Sequence, residues 1–537
     1  MPDVVHGRER RPLVPGRSLF DEADELSVVV PASCRRLGRC HECVVEVRAG
    51  GEQLSPRTEA EAFLSPGFRL ACQAQIERAD ADLEFSVLRR RLRILMAPDG
   101  HVPEVDPPVH RQGNQVVRDG GESLGTSFGR LLGLALDIGT TTVVLELVDL
   151  ETGEIAAVAA FENPQRFGGS DVMSRISYDA AVPGELRQAL RRALNHELRR
   201  LYGELGVDRR SVVEAVFVGN TTMRDLAFGL DVAPIGRVPY RSTTEQAARL
   251  SPERSTRLVR PAYELGILMH PRGRVIGAPI IASHVGADAA ADLVATGALQ
   301  TGRPFLLVDI GTNTEVIASD GQRVVAASSP AGPAFEGGGV RFGMAGADGA
   351  IEAARLVDGR FDVRTIGGAN PQGICGSGLV DLLAELRRAD RLTVRGSFAD
   401  RAREVTIVPE LGIVLTAADV GHLAVAKAAT AVGQRVLLRT LGLEPADLDR
   451  VYLAGGFANA LDVDRAVAIG LLVPVDPARV IRAGNASIAG ARDLLLSRRR
   501  RAELEIAVRR IEHVELEAEP DFFDLFTDGC LFEPIAA

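Results

Sequence analysis

No stretch of this sequence stays apolar for the roughly 20 residues that a helix needs to cross a bilayer, so no membrane-spanning segment is expected. A secretory signal is missing too: the start, MPDVVHGRERRP, is polar and basic and has no apolar core. A cytoplasmic location is the expectation that follows. Positive charge is outweighed, and the net charge of -10 argues against a general nucleic-acid binder. Cysteine is scarce, with six in 537 residues. What is there suits a soluble globular protein: 46% hydrophobic and 25% charged residues, in a chain long enough for several domains.

The few cysteines are unevenly placed. Cys34, Cys40 and Cys43 are spaced Cys-x5-Cys-x2-Cys, and Cys72 follows in RLACQ, 29 residues after the third. In a cytoplasmic protein such clustering points to metal rather than to disulfides. Three ligands in one loop and a fourth returning from a distance suit a [2Fe–2S] cluster, although the plant-type spacing has one residue fewer in its first gap. Four thiolates also suit zinc. Zinc sites usually pair two Cys-x2-Cys turns, however, and only one is present. SVVVPAS before Cys34 and CVVEVRAGG from Cys43 look like strands, so residues 1–92 read as a small β-rich domain. Cys375, set among apolar and small residues, reads as a buried, inert thiol; Cys530 is isolated.

One short pattern is written twice. Asp137-Ile138-Gly139-Thr140-Thr141-Thr142 and Asp309-Ile310-Gly311-Thr312-Asn313-Thr314 each lie between two apolar runs. The pattern is strand, tight turn, strand, with the Asp ending the first strand. Gly lets the backbone come close to a ligand. Hydroxyls and backbone N–H groups facing into such a turn can hold phosphate oxygens, and the Asp can hold Mg²⁺. One copy is also an ordinary hairpin; two copies suggest two related lobes facing each other across a cleft. A third stretch, VYLAGGFAN, runs a strand into Gly455-Gly456, where adjacent glycines let a flat ring lie against bare backbone.

The rest of the chain divides around these turns. Residues 93–130 are polar and rich in Gly and Pro, and read as a flexible linker. Residues 131–300 form the expected first lobe and 301–537 the second. Ser170 or Asp171 is placed to cap the helix DVMSRISYDA, and the turn at Gly219-Asn220-Thr221-Thr222 is a further candidate for the cleft. His284, Asp288 and Asp292 recur at helical spacing, which fits a capped helix with one polar face better than a metal site. Glu336, in the loop AGPAFEGGG, is placed to orient water or Mg²⁺, with a structural carboxylate as the alternative. Gly376-Ser377-Gly378 opens a helix and offers an anion site. The run RRRR at 498–501 reads as solvated at a helix end.

In order and spacing, the two phosphate turns and the Gly-Gly turn resemble those of the superfamily that joins acetate kinase, sugar kinases, heat-shock ATPases and actin. There they bind the phosphates and the adenosine of ATP. With CRRLGRCHEC, ENPQRFGGSDVMSRISY, VGNTTM, GICGSGLVDLL, AKAA and GNASIAGA added, the chain resembles the reductive activators of corrinoid enzymes. The resemblance implies a multidomain α/β fold. A small β-grasp, ferredoxin-like domain would precede a two-lobed, actin-like (ribonuclease H-like) ATPase domain. It implies a [2Fe–2S] cluster on the four N-terminal cysteines, and ATP with Mg²⁺ in the cleft. The expected enzyme uses ATP to pass an electron to cob(II)amide of a corrinoid protein or methyltransferase, restoring cob(I)amide. A low-potential electron donor and a homodimer are implied with it. A small-molecule kinase with a fused redox domain and a non-catalytic ATP-binding electron carrier are the alternatives. One departure stands out: the cysteine loop holds Gly38 alone where related loops are glycine-rich, and carries Arg35, Arg36 and Arg39. These charges either raise the cluster's potential, dock an acidic partner, or are simply solvated.

Overall fold

The computed structural model describes residues 2–7, 9–88, 103–126, 129–251, 253–456 and 458–535. At the N-terminus a mixed sheet runs in the order β2 (Glu9–Pro12), β1 (Asp3–His6), β5 (Leu83–Val87), β3 (Val44–Ala49), β4 (Phe68–Leu70). Only the β1–β5 pair is parallel. Helix α1 (Leu19–Glu25) packs its buried Leu19, Phe20 and Ala23 on the sheet. It starts at Ser18, whose hydroxyl accepts from the Asp21 backbone while Asp21 answers at the Ser18 N–H. The apolar run at 27–33 forms no strand. Its β-branched residues have no strand to pair with, and Val29 is left 83% exposed.

Part of the expected linker is folded. Residues 109–126 make a three-stranded meander, β6 (Val109–Gln112), β7 (Gln115–Arg118) and β8 (Glu122–Thr126). Val109, Val116 and Leu124 are buried in one core with first-lobe residues such as Ala135 and Val144. Three apolar side chains suffice to dock so short a sheet, and their spacing was hidden among polar neighbours. The remainder of that expected linker lies largely outside the described residues.

The two lobes repeat one topology. In the first, β9 (Leu132–Ile138), β10 (Thr142–Asp149) and β11 (Ile155–Glu162) are antiparallel. Strands β12 (Val212–Gly219) and β14 (Arg274–Gly277) extend the sheet in parallel beyond β9, with β13 (Leu258–Pro261) at the edge. In the second, β15 (Phe305–Ile310), β16 (Thr314–Ser319) and β17 (Val324–Ser329) are again antiparallel. Beside these lie two small sheets, formed by β18 (Ala350–Val357), β19 (Arg360–Thr365) and β20 (Gly373–Ile374), and by β21 (Glu404–Val408) and β22 (Ile413–Thr416). The parallel side of the main sheet is β23 (Arg450–Ala454) and β24 (Val480–Gly484), and β25 (Glu512–His513) flanks β17. First-lobe helices are α2 (Val172–Ala181), α3 (Glu185–Leu205), α4 (Thr221–Phe228), the short α5 (Thr243–Leu250) and α6 (Ala262–Leu265), and α7 (Ala287–Thr296). Asp171 is the residue that caps α2. Second-lobe helices are α8 (Gly376–Arg388), α9 (Ala417–Leu441) and α10 (Val463–Ala468).

The C-terminal helices cross back. α11 (Ala486–Leu496) and α12 (Arg498–Ala507) bury Ile488, Leu495 and Leu504 in the first-lobe core, so the sequence boundary at 300 does not separate the lobes in space. The arginine run is engaged: Arg498 pairs with Asp106 and Asp119, Arg499 with Glu104, and Arg501 with Glu214 at 2.6 Å. The last helix, α13 (Phe522–Gly529), returns to α9. There the chain's single lysine, Lys427, is 1% exposed and donates to the carbonyls of Gly529, Leu531 and Gly470. Three converging carbonyls suit a compact ammonium better than a planar guanidinium.

Candidate functional site

The cysteine loop takes its shape without its expected glycines. Arg35, Arg36 and His41 all have left-handed backbones (φ 55°, 66° and 53°), as does Gly38 at 70°. Side chains rarely adopt this conformation, and Arg36 shows what holds it there. Its guanidinium pairs with Asp21 and Asp24 on α1 and lies 4.0 Å above the Phe20 ring. The loop thus still turns backbone N–H groups inward. Those of Cys40, Arg39 and Leu37, with the Cys40 thiol, outweigh burial and lower the Cys34 thiol. Cys43 donates to Cys72 across 3.4 Å, which holds Cys72 down to about 6 and pushes Cys43 up. Four sulfurs fall into two pairs, Cys34 with Cys40 and Cys43 with Cys72. Among the described residues no three of His, Cys, Asp or Glu are grouped to hold a single ion. Two thiolate pairs fit two irons, one pair to each.

The loop also touches the first lobe. His41 stacks on Phe63 with ring centroids 4.1 Å apart and faces Glu185 at the start of α3. Phe63 meets Phe167 edge-on at 5.7 Å, and Phe167 meets Tyr178 at 5.5 Å. The Tyr178 hydroxyl donates to the Phe63 carbonyl, and Arg166 pairs with Glu46 at 3.2 Å.

Between the lobes lies a cavity of about 210 Å³. Both Asp-x-Gly-Thr turns line it, through Asp137, Gly139, Thr140, Thr141 and Thr142 on one side and Asp309, Gly311, Thr312 and Asn313 on the other. Gly455, Gly456 and Glu336 line it as well. A Cβ on Gly455 would collide with the Ile310 carbonyl oxygen, whereas one on Gly456 would meet open space. Gly455 therefore serves close packing, and Gly456 is the bare surface available to a ring. The helix-opening turn is brought in only by its edge: Gly376 lines the cavity, but Ser377 donates to the Glu352 carbonyl at 2.8 Å and Gly378 packs on the Ile351 backbone. The Ser377 side chain and Gly378 thus help to seat α8 on β18, and neither residue is among those lining the cavity. Cys375 is buried beside them and its thiol donates to the Ile351 carbonyl.

Asn220, from the turn that was a further candidate for the cleft, lines the cavity while capping α4. Asp288, read in sequence as part of a polar helix face, lines it too, as do Glu315, Asn485 and Ser487, which the sequence did not mark. The expected polar helix face comes apart: α7 starts after Gly286, His284 lies against Tyr240, Asp288 faces the cleft, and Asp292 accepts from Ser487. The i, i+4 spacing at 284, 288 and 292 was the signal available. The lining holds five carboxylates and, among the described residues, no lysine or arginine. Burial lifts them all. With Asp288 as the next contributor, it carries Asp309 to about 7 and raises Asp137 and Glu315 well above the usual range; Asp288 itself reaches about 6.

The first turn is tied to the segment that meets the cysteine domain. Asn163 donates to the Gly139 carbonyl at 2.8 Å. Arg175, fully buried, donates to the Thr140 carbonyl at 2.6 Å and to the Gly169 carbonyl at 3.1 Å. Across the cleft, Glu336 accepts from the hydroxyls of Thr141 (2.9 Å) and Thr312, which are themselves 3.0 Å apart.

Comparison with known proteins fits these three bodies. The 2Fe-2S iron-sulfur cluster binding domain profile matches residues 4–77, the RACo middle region 132–301, and the C-terminal domain of RACo, the ASKHA domain, 303–535. The corrinoid activation enzyme RamQ of Eubacterium limosum is 30% identical over 429 residues, covering 75% of this chain and 70% of that protein. This chain belongs to the RACo family of corrinoid activators. It is also 25% identical to the [Co(II) methylated amine-specific corrinoid protein] reductase of Methanosarcina barkeri, over 74% of this chain and 76% of that one. A solved structure of a reductive activator for corrinoid, iron-sulfur protein aligns over 99% of both chains at 28% identity and a TM-score of 0.74. The family's N-terminal cluster domain and actin-like ATPase domain are those described above. Among the described residues no helix is long and apolar enough to cross a membrane.

Proposed function

We propose that this chain is an ATP-dependent enzyme that passes one electron from a [2Fe–2S] centre to cob(II)amide of a corrinoid protein, giving cob(I)amide. What carries the reading is the union in one packed chain of two thiol pairs and an interlobe cleft. The segment around 163–175 touches the cysteine domain and the first phosphate turn together. When bound, the cluster supplies a one-electron carrier; plant-type centres sit near about -400 mV. Cys34, Cys40, Cys43 and Cys72 hold it. The exposed face of the loop, with Arg35, Leu37 and Arg39, is where a low-potential donor docks.

Cob(I)amide is a strong reductant, so the transfer runs uphill and needs ATP. Thr140, Thr141 and Thr142, facing Gly311, Thr312 and Asn313, hold the phosphates, and Gly456 flanks the adenosine. Among the described residues the cleft lining holds five carboxylates and no basic side chain, so it offers bare phosphate no counter-charge. Asp137 and Asp309 are therefore assigned to Mg²⁺, directly or through water, which lets nucleotide enter as a metal complex. Nucleotide helps only if it favours one lobe arrangement over the other, and the tie from the first turn to the cysteine domain gives that preference a route to the cluster.

The test uses anaerobic protein with its cluster reduced, mixed with cob(II)amide proteins. Absorbance is followed for cob(I)amide with and without Mg-ATP. Asp309→Ala abolishes the ATP-stimulated part and leaves the cluster spectrum intact; retained stimulation would falsify the assignment. ATP turnover that ignores every corrinoid protein points to the kinase alternative.

A further inference from the structure

We propose that Glu336 is a built-in substitute for the terminal phosphate of ATP, and that its displacement by that phosphate couples nucleotide binding to rearrangement of the lobes. The inference rests on the ATP-cleft reading above and assigns a specificity-determining role within it.

The geometry sets the argument. One carboxylate oxygen, Oε2, accepts from Thr141 of the first lobe and from Thr312 of the second. One hydroxyl comes from each of the two repeated turns, although Thr312 corresponds in sequence to Thr140 and not to Thr141, and the two stand 3.0 Å apart. A hydroxyl has one proton to donate, so hydroxyls committed to Glu336 are not free to donate to a phosphate. Any anion that bridges both turns must take the place of Glu336. A third phosphate reaches that bridge, whereas a diphosphate can rest on one turn and leave it closed.

The surroundings agree. Glu336 has no cationic partner among the residues that line the cleft, and Asp309 lies near enough for the two carboxylates to repel. Among the described residues its carboxylate is held by the two hydroxyls alone. The cavity of about 210 Å³ is below the range of about 300–1,000 Å³ usual for ligand pockets, as a clasped cleft would be. The carboxylate also sits on a glycine-rich loop. Glu336 ends the short turn Ala334–Glu336, with left-handed glycines on either side at 332, 337 and 339. The Gly332 N–H donates to the Thr312 carbonyl, so the loop is hinged on the very turn it blocks. Expelling Glu336 exchanges hydrogen bonds within the protein for hydrogen bonds to the ligand. The exchange weakens triphosphate binding, and that differential is what can shift the lobes.

Glu336→Ala should therefore bind the Mg complex of a non-hydrolysable ATP analogue about tenfold more tightly than wild type, with Mg-ADP affinity unchanged. Its ATP-stimulated cob(II)amide reduction should fall. Tighter binding with weaker coupling is an outcome that neither a general base nor a metal ligand gives. Isothermal titration of the full chain with its cluster assembled reads both affinities. Glu336→Gln, which keeps the shape and one acceptor but not the charge, falls between the two and carries the test should the Ala variant fold poorly by cluster absorbance and melting. Analogue affinity that is unchanged or weaker overturns the proposal, as does equal tightening of ADP and analogue, which would mean only relief of charge repulsion. Wild-type protein that binds neither nucleotide would instead overturn the ATP-cleft reading.

Discussion

Two side chains show how local conformation is fixed from outside. The left-handed backbones at Arg35 and Arg36 occupy the positions where glycine was expected. Arg36 is compensated by two carboxylates and an aromatic face on α1. Its charge is therefore committed locally, which leaves Arg35 and Arg39 as the loop's outward charges. A residue in this conformation costs about 1–2 kcal/mol, against about 0.5–1 kcal/mol of added chain entropy for glycine. Arg35→Gly should thus stabilise the cysteine domain by roughly 0.5–1 kcal/mol, while Arg36→Gly, which also loses the clasp, should destabilise it; melting followed at the cluster absorbance separates them. Lys427 makes the opposite point. Burial lowers its amine to about 8, from an ordinary value of 10.5. Between those values the unfolded chain keeps a proton that the folded chain releases, so this group makes stability rise with pH from about 8 to 10.5. Lys427→Met removes that slope. It also leaves two buried carbonyls and one half-buried one without their donor, for a loss of about 2 kcal/mol or more. Chemical unfolding of both proteins at pH values inside and below the window measures it.

Among the elements, α12 and the meander β6–β8 form one unit from opposite ends of the chain. Four arginines at the start of a helix oppose its dipole, and the acidic residues at 104, 106, 119 and 214 offset them. Most of these pairs are exposed and worth about 0.2–1 kcal/mol each. The buried Val109, Val116 and Leu124 contribute about 1.5–3 kcal/mol each. The apolar contacts therefore decide. Arg498→Ala with Arg499→Ala should raise proteolysis within 103–126 only a few-fold, whereas Val116→Asp should detach the meander and expose it to rapid cleavage. Equal sensitivity of the two variants would show that the ion pairs dominate after all.

For the whole molecule, the contact between the cysteine domain and the first lobe sets what ATP can do. One aromatic contact crosses it, Phe63 edge-on to Phe167, worth about 0.5–1.5 kcal/mol, and the pairs Arg166–Glu46 and His41–Glu185 add to it. An interface of that strength holds and can still be released. Phe63→Ala should loosen it by about 1–2 kcal/mol, seen as a larger radius of gyration in small-angle scattering. ATP hydrolysis should persist while its coupling to cobalt reduction drops. An unchanged radius together with unchanged coupling would remove the interface from the mechanism.

The sequence by itself determined the local motifs: four cysteines at their spacing, the two Asp-x-Gly-Thr turns, the Gly-Gly turn and the repeated lobe they imply. Each is written within a few consecutive residues, where backbone geometry and residue type are tied directly. The tertiary structure decided the rest. It brought Asp288, Glu315, Asn485 and Ser487 into the cleft from separate elements and withdrew Ser377 and Gly378 from it. It turned a polar stretch into a docked sheet and a run of arginines into its clasp. Those outcomes depend on which faces meet across large separations in the chain. Contacts of that kind are set by the burial of many side chains together, so no single segment records them.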